Sequence, residues 1–183
     1  MIIVAIDENN FNKASSIVDN LDSDKCMVKI GSVAFNSIGP DIIFYAAKKG
    51  FDIFLDLKLH DIPNTVKEAT KSAGEIGADY LTIHISSSKE ALYEASTNKK
   101  EDLKLLGVSS ALTSKAIDEE TSKKVQLEFE LAKESNVDGV ICPPSEITKS
   151  INNFLKTKNF LSISYPHGLN ICSNELRTIN HLY

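Results

Sequence analysis

The 183 residues are 42% apolar and 25% charged, with a formal net charge of −5, a balance that suits a single globular domain with a sizeable core. The negative balance, with no run of lysines interleaved with aromatics, argues against a nucleic-acid surface. No apolar run is long enough for a signal peptide or a membrane span, so a cytoplasmic protein is expected. Cys26, Cys142 and Cys172 are far apart and odd in number, and point to buried reduced thiols rather than a zinc site or a disulfide framework.

Taken in order, β-branched apolar runs alternate with amphipathic stretches every 25 to 30 residues or so, the pattern of successive βα units. The runs predict strands over Ile2–Ile6, Cys26–Ile30, Asp52–Leu57, Tyr80–Ile85, Lys104–Val108, Gly139–Cys142 and Phe160–Ser164. Helix faces show in Phe11, Ala14, Ile17, Val18 and Leu21, then in Ile42, Ile43, Ala46 and Ala47, then in Val66, Ala69, Ala73 and Ile76. Gly50 and Gly77 fall where two of these helices should end. Ser86 to Ser88 read as a polar loop entering a helix, and Cys142-Pro143-Pro144 as the turn out of the sixth strand.

Seven parallel strands with no Gly-x-Gly-x-x-Gly turn favour a TIM (β/α)₈-type barrel over a dinucleotide-binding sheet. Polar residues at the C-terminal ends of barrel strands mark active sites, and Asp7, Lys29, Asp56, Lys58, His84, Thr113 and Ser114 all fall at or beyond such ends. The densest collection is FLDLKLHDIPNTV, from Phe54 to Val66. There Ile53, Leu55, Leu57 and Leu59 line one face of a strand while Phe54, Asp56 and Lys58 line the other, and Pro63 ends the strand. Inward charges on an apolar strand are costly unless paired, and groups held that way suit chemistry. His60 is out of phase with Asp56 and Lys58, which fits a structural hydrogen bond better than a general base. His84 is expected in the floor of the pocket.

The barrel count stops at seven, whereas a closed barrel of this type has eight strands and at least about 200 residues. The expectation is one incomplete barrel domain over 1–183, with the eighth βα unit missing and 165–183 a divergent tail. In that tail a helix is predicted from about Asn174 to Asn180, capped by Ser173. The first and seventh strands would then be exposed edges, open to aggregation.

These residues also carry a resemblance. DLKLHDIPNTV, together with VAID near the start, VKIGSVAF at Val28–Phe35, GADYLTIH at Gly77–His84 and ALTS at Ala111–Ser114, is similar to the bacterial orotidine 5'-phosphate decarboxylases, from Ile2 to about Glu146. The resemblance implies cofactor-free, metal-free decarboxylation of orotidine 5'-phosphate to uridine 5'-monophosphate. Lys29, Asp56, Lys58 and Asp61 would form a charge network of alternating sign, with Lys58 stabilising and protonating the C6 carbanion. It also implies a homodimer in which Asp61, Ile62 and Thr65 reach the partner's site, with Asp7 near the ribose and Thr113 on the pyrimidine.

The family's later phosphate-gripping segments are only faintly echoed, at Tyr165-Pro166-His167-Gly168-Leu169, so a truncation or frameshift after about Ser164 is expected. Two alternatives follow from the same residues: a catalytically silent truncated barrel or interaction protein, and a related sugar-phosphate decarboxylase or aldolase sharing only the Asp-x-Lys-x-x-Asp skeleton.

Overall fold

A computed structural model of the chain describes residues 2–113, 118–142, 161–164 and 176–178, with side chains described for all of these except residues 113, 161–164 and 176–178. Seven strands run parallel in sequence order: β1 (Ile2–Ile6), β2 (Cys26–Gly31), β3 (Ile53–Leu59), β4 (Tyr80–His84), β5 (Lys104–Val108), β6 (Gly139–Cys142) and β7 (Leu161–Ser164). Each is hydrogen-bonded to the next. Between them lie α1 (Phe11–Asp19), α2 (Ser32–Ile38), α3 (Asp41–Lys48), α4 (Pro63–Glu75), α5 (Lys89–Asn98) and α6 (Glu119–Glu134). A short 3₁₀ turn, Ser110–Thr113, follows β5.

Alternation along the strands divides the apolar residues into two layers. Val4, Val28, Ile30, Ile53, Leu55, Leu81 and Ile83 face outward into one large cluster with helix residues such as Ala14, Ile42, Val66, Leu92 and Phe129. Ile3, Met27, Phe54, Leu106, Val108 and Ile141 face inward and form a second, smaller cluster. Each fully buried Ile, Leu or Phe contributes roughly 1.5–3 kcal/mol through removal from water. The outer layer therefore fixes the helices to the sheet, and the inner layer plugs the concave side beneath the strand ends.

Local chemistry sets the helix bounds. Asn10 caps α1, Ser88 caps α5 and Asp118 caps α6 with side-chain oxygens that accept from first-turn amides. The polar loop read at Ser86 to Ser88 thus does enter a helix, with Ser88 as its cap. Gly50 (φ 86°) and Gly77 (φ 95°) follow α3 and α4 in the left-handed region, as the sequence suggested. The sequence reading passed over α2, which Gly39 (φ 79°) separates from α3. Two aspartates anchor the strand starts: Asp79 accepts from the Ile53 N–H at 2.7 Å and Asp138 from the Leu105 N–H at 2.8 Å.

The tail departs from expectation. Leu176–Thr178, within the segment read as a helix from Asn174 to Asn180, is a strand, β8, antiparallel to β1 with Ile3 opposite Arg177. The outer edge of β1 is therefore covered rather than exposed, because its unpaired ladder groups recruit a nearby segment with little helical pattern of its own. Among the described residues β8 is not an eighth parallel βα unit, and the sheet order runs from β7 at one edge to β8 at the other. The expected Ser173 cap, Cys172 and the Tyr165–Leu169 segment lie outside the described residues. So do Ser114, Pro143 and Pro144. Cys26 and Cys142 are buried thiols.

Candidate active site

The inward residues of neighbouring strands line up at the C-terminal end of the sheet. Two positions beyond Met27, Phe54 and Tyr80 on their shared face stand Lys29, Asp56 and Thr82, and Asp7 follows the end of β1. Asp56 lies at the centre and is only 4% exposed. Its Oδ1 accepts from Lys58 Nζ at 2.8 Å and from Thr82 Oγ1 at 3.1 Å. Its Oδ2 lies 3.4 Å from Lys29 Nζ, and Lys29 Nζ in turn lies 3.7 Å from Asp7 Oδ1.

The two lysines differ in setting. The Lys29 side chain is 8% exposed and closed in, whereas that of Lys58 is 35% exposed and faces the open end. Burial pushes the Asp56 carboxyl upward, but the Lys29 and Lys58 cations and the hydrogen bonds from Lys58 and Thr82 outweigh it. The net result holds the group below the usual carboxylate range.

Lys58 sits on an irregular stretch of backbone. Leu55 pairs with Leu81 and Leu59 with Ile83, so Asp56, Leu57 and Lys58 on β3 face Thr82 alone on β4. Lys58 adopts φ 52°, a left-handed conformation costly for a residue with a Cβ. Such bulges re-aim side chains near active sites.

Beyond the strand, His60, Asp61, Ile62, Pro63, Ser87 and Ser88 line an open cleft of about 580 Å³. The His60 and His84 rings lie side by side, with centroids 5.3 Å apart. Burial pushes the His84 imidazole down, and His60 and Lys58 act in the same direction against Asp56.

Of the residues singled out from sequence, Asp7, Lys29, Asp56 and Lys58 come together. Asp61 does not join them within one chain: its Oδ1 accepts from the Ile62 N–H at 2.7 Å, and among the described residues it makes no ion pair with either lysine. Ile62 is 66% exposed, and Thr65 on the first turn of α4 is exposed as well. Thr113 ends the 3₁₀ turn after β5, and its side chain lies outside the description. Thr82 was missed by the sequence reading, although its place two residues before His84 on one strand face was a usable signal. Among the described residues no group of three or more His, Cys, Asp or Glu side chains is placed to hold a metal ion, and no helix is long and apolar enough to cross a membrane.

A parallel strand–helix barrel sheet with a lysine–carboxylate–lysine network at its C-terminal end defines the class: an incomplete TIM-type barrel with an enzyme-like charged site. Residues 1–166 match the family described as orotidine 5'-phosphate decarboxylase / HUMPS, and the chain belongs to that family. A protein from Saccharophagus degradans named orotidine 5'-phosphate decarboxylase is 33% identical over 167 residues, covering 81% of this chain and 66% of the relative. One of the same name from Vibrio atlanticus is 36% identical over 160 residues, covering 79% of this chain and 68% of the relative. The chain therefore spans about two thirds of the length of these relatives.

Among solved structures, orotidine 5'-phosphate decarboxylase from Lactobacillus acidophilus superposes with a TM-score of 0.75 at 29% identity, over 88% of this chain and 79% of that one. The fold is shared also with the enzyme of that name from Pyrococcus horikoshii, with a TM-score of 0.76 at 22% identity, over 92% of this chain and 79% of that one.

Proposed function

We propose that this chain decarboxylates orotidine 5'-phosphate to uridine 5'-monophosphate, without a cofactor, at the Asp7–Lys29–Asp56–Lys58 cluster. The observation that carries the reading is the buried Asp56 carboxylate, shared between two lysines of which only Lys58 faces the open end. The family membership of the chain and the names of its relatives support the choice of substrate.

In the reaction the C6–carboxylate bond breaks heterolytically, carbon dioxide departs, and the electron pair stays on C6. No ring group delocalises that pair well, so the site must stabilise localised charge by fixed electrostatics. The Lys58 ammonium supplies that charge and then gives its proton to C6, which leaves uridine 5'-monophosphate; the lysine regains a proton from solvent. Asp56 lies where its charge would repel the substrate carboxylate, and that repulsion is relieved as the negative charge moves from the carboxylate to C6 beside Lys58, which favours the transition state over the ground state. Lys29 balances Asp56 from the closed side and leaves Lys58 as the cation that faces the open end. Asp7 addresses the ribose, and Thr113 the pyrimidine.

Asp61 completes the alternation from a second copy of the chain. It is exposed, lies outside its own network, and is followed by the exposed Ile62 and Thr65, which suits a homodimer with shared sites. The chain forms one incomplete barrel domain over 1–183, with 165–183 a divergent tail, and acts in the cytoplasm.

The test is formation of uridine 5'-monophosphate from orotidine 5'-phosphate by the purified chain and by Lys58→Ala. Turnover that Lys58→Ala abolishes is expected. Equal rates for the two would remove Lys58 from the mechanism, and a folded but inactive wild type would favour the silent-barrel reading.

A further inference from the structure

We propose that Thr82 is a positioning residue for Lys58: its buried hydroxyl closes a ring of hydrogen bonds that holds the lysine at both its backbone and its side-chain end. The inference rests on the decarboxylase reading of the site for its kinetic consequence, though not for its geometry. Thr82 is fully buried, so it acts through its neighbours rather than on substrate.

The ring follows from the bulge. Where β3 spends four residue steps from Leu55 to Leu59, β4 spends two from Leu81 to Ile83, so the ladder between them is interrupted at the site. At this interruption the Lys58 N–H donates to the Thr82 side chain, at 2.8 Å from Oγ1. A hydroxyl has one proton and two lone pairs, while an ionised carboxylate only accepts. With the Lys58 amide donating to the oxygen, the hydroxyl proton is directed to Asp56 Oδ1, 3.1 Å away. That same oxygen accepts from Lys58 Nζ at 2.8 Å.

The path from the Lys58 amide through Thr82 and Asp56 to the Lys58 ammonium therefore closes on the one residue. A free lysine side chain has much rotamer freedom to lose; here the ring fixes both the left-handed backbone at φ 52° and the position of Nζ. Placement of a reacting group is worth a great deal in rate: a shift of about 1 Å costs on the order of 100-fold.

Thr82→Val keeps the shape and removes the hydroxyl, and Thr82→Ser restores it. In ¹⁵N-labelled full-length chain the expected result for Thr82→Val is at least about tenfold faster hydrogen exchange at the Lys58 amide, with Leu81 and Leu105 unchanged. For orotidine 5'-phosphate, kcat falls about 10- to 100-fold while KM moves less than about twofold. Thr82→Ser recovers both. Wild-type exchange at Lys58 in Thr82→Val, or a serine variant that behaves like valine, overturns the proposal. Should the wild type show no turnover, the decarboxylase reading fails and the amide measurement alone decides on Thr82. Thr82→Cys, which keeps the volume and weakens both bonds, replaces the valine variant if that chain does not fold.

Discussion

Lys58 reaches Asp56 at 2.8 Å, and it does so from a backbone conformation that few residues with a side chain adopt. Pairing and backbone strain thus fall on one residue, at the open end of an otherwise apolar strand. Strain of this kind persists only where surrounding structure over-determines it, and such positions cluster at functional sites.

The strain is measurable. Lys58→Ala and Lys58→Gly remove the same ammonium, but only alanine retains the Cβ that the left-handed region penalises. Glycine should leave the protein more stable than alanine by about 1 kcal/mol, against the usual preference in a strand. Denaturant unfolding of the two variants decides it, and an alanine variant at least as stable would show that the backbone relaxes.

Removing the central charge should cost far more. Among the described residues, Asp56→Asn leaves the buried Lys29 cation with Asp7 as its one remaining carboxylate, at 3.7 Å, and the protein should lose on the order of 3 kcal/mol near pH 7. The pH dependence has a definite sign. The folded carboxyl titrates below its unfolded value, so its contribution is fully present above the unfolded pKa of about 4 and is lost as pH falls through the depressed folded value. The stability gap between wild type and Asp56→Asn should be flat above about pH 5 and should narrow below about pH 4. A gap that stays constant into the acid range would mean that Asp56 gains nothing from the two lysines.

Gly31 supplies a test of space rather than charge. Its φ of −92° and ψ of −178° suit any residue, yet a Cβ there would lie 3.3 Å from Lys29 Nζ and 3.5 Å from Asp7 Oδ1. Gly31→Ala should change stability by less than about 1 kcal/mol and lower turnover about tenfold, by moving the tip of Lys29. Unchanged turnover in a steady-state assay would show that Lys29 tolerates displacement.

Much of this site was legible in the sequence because strand alternation is a strict code. Once β2 and β3 are drawn, Lys29, Asp56 and Lys58 must face the side that holds Met27 and Phe54. The bulge at Lys58 was hidden, since it depends on the register between β3 and β4, and register is a property of two segments. Thr82 was hidden for the same reason: within GADYLTIH it reads as one more β-branched strand residue, and only its partners reveal its role. The tail was misread because Asn174–Asn180 carries no firm period, and pairing with the free edge of β1 decided its conformation at Leu176–Thr178. Asp61 enters the network by the resemblance alone, as a residue reaching the partner's site; within one chain it stands apart from the lysines and lines the open cleft.

That last separation makes mixing of inactive chains the most direct measurement. Lys58→Ala and Asp61→Asn chains each lack one component of every site when assembled alone. If two copies share their sites, a mixed dimer contains one site with both Lys58 and Asp61 intact, and statistical mixing puts about a quarter of the wild-type sites back. The account predicts negligible decarboxylation of orotidine 5'-phosphate by either variant and recovery to about that quarter after co-refolding in equal amounts. No recovery in the mixture, or a wild-type rate from either variant alone, would contradict it.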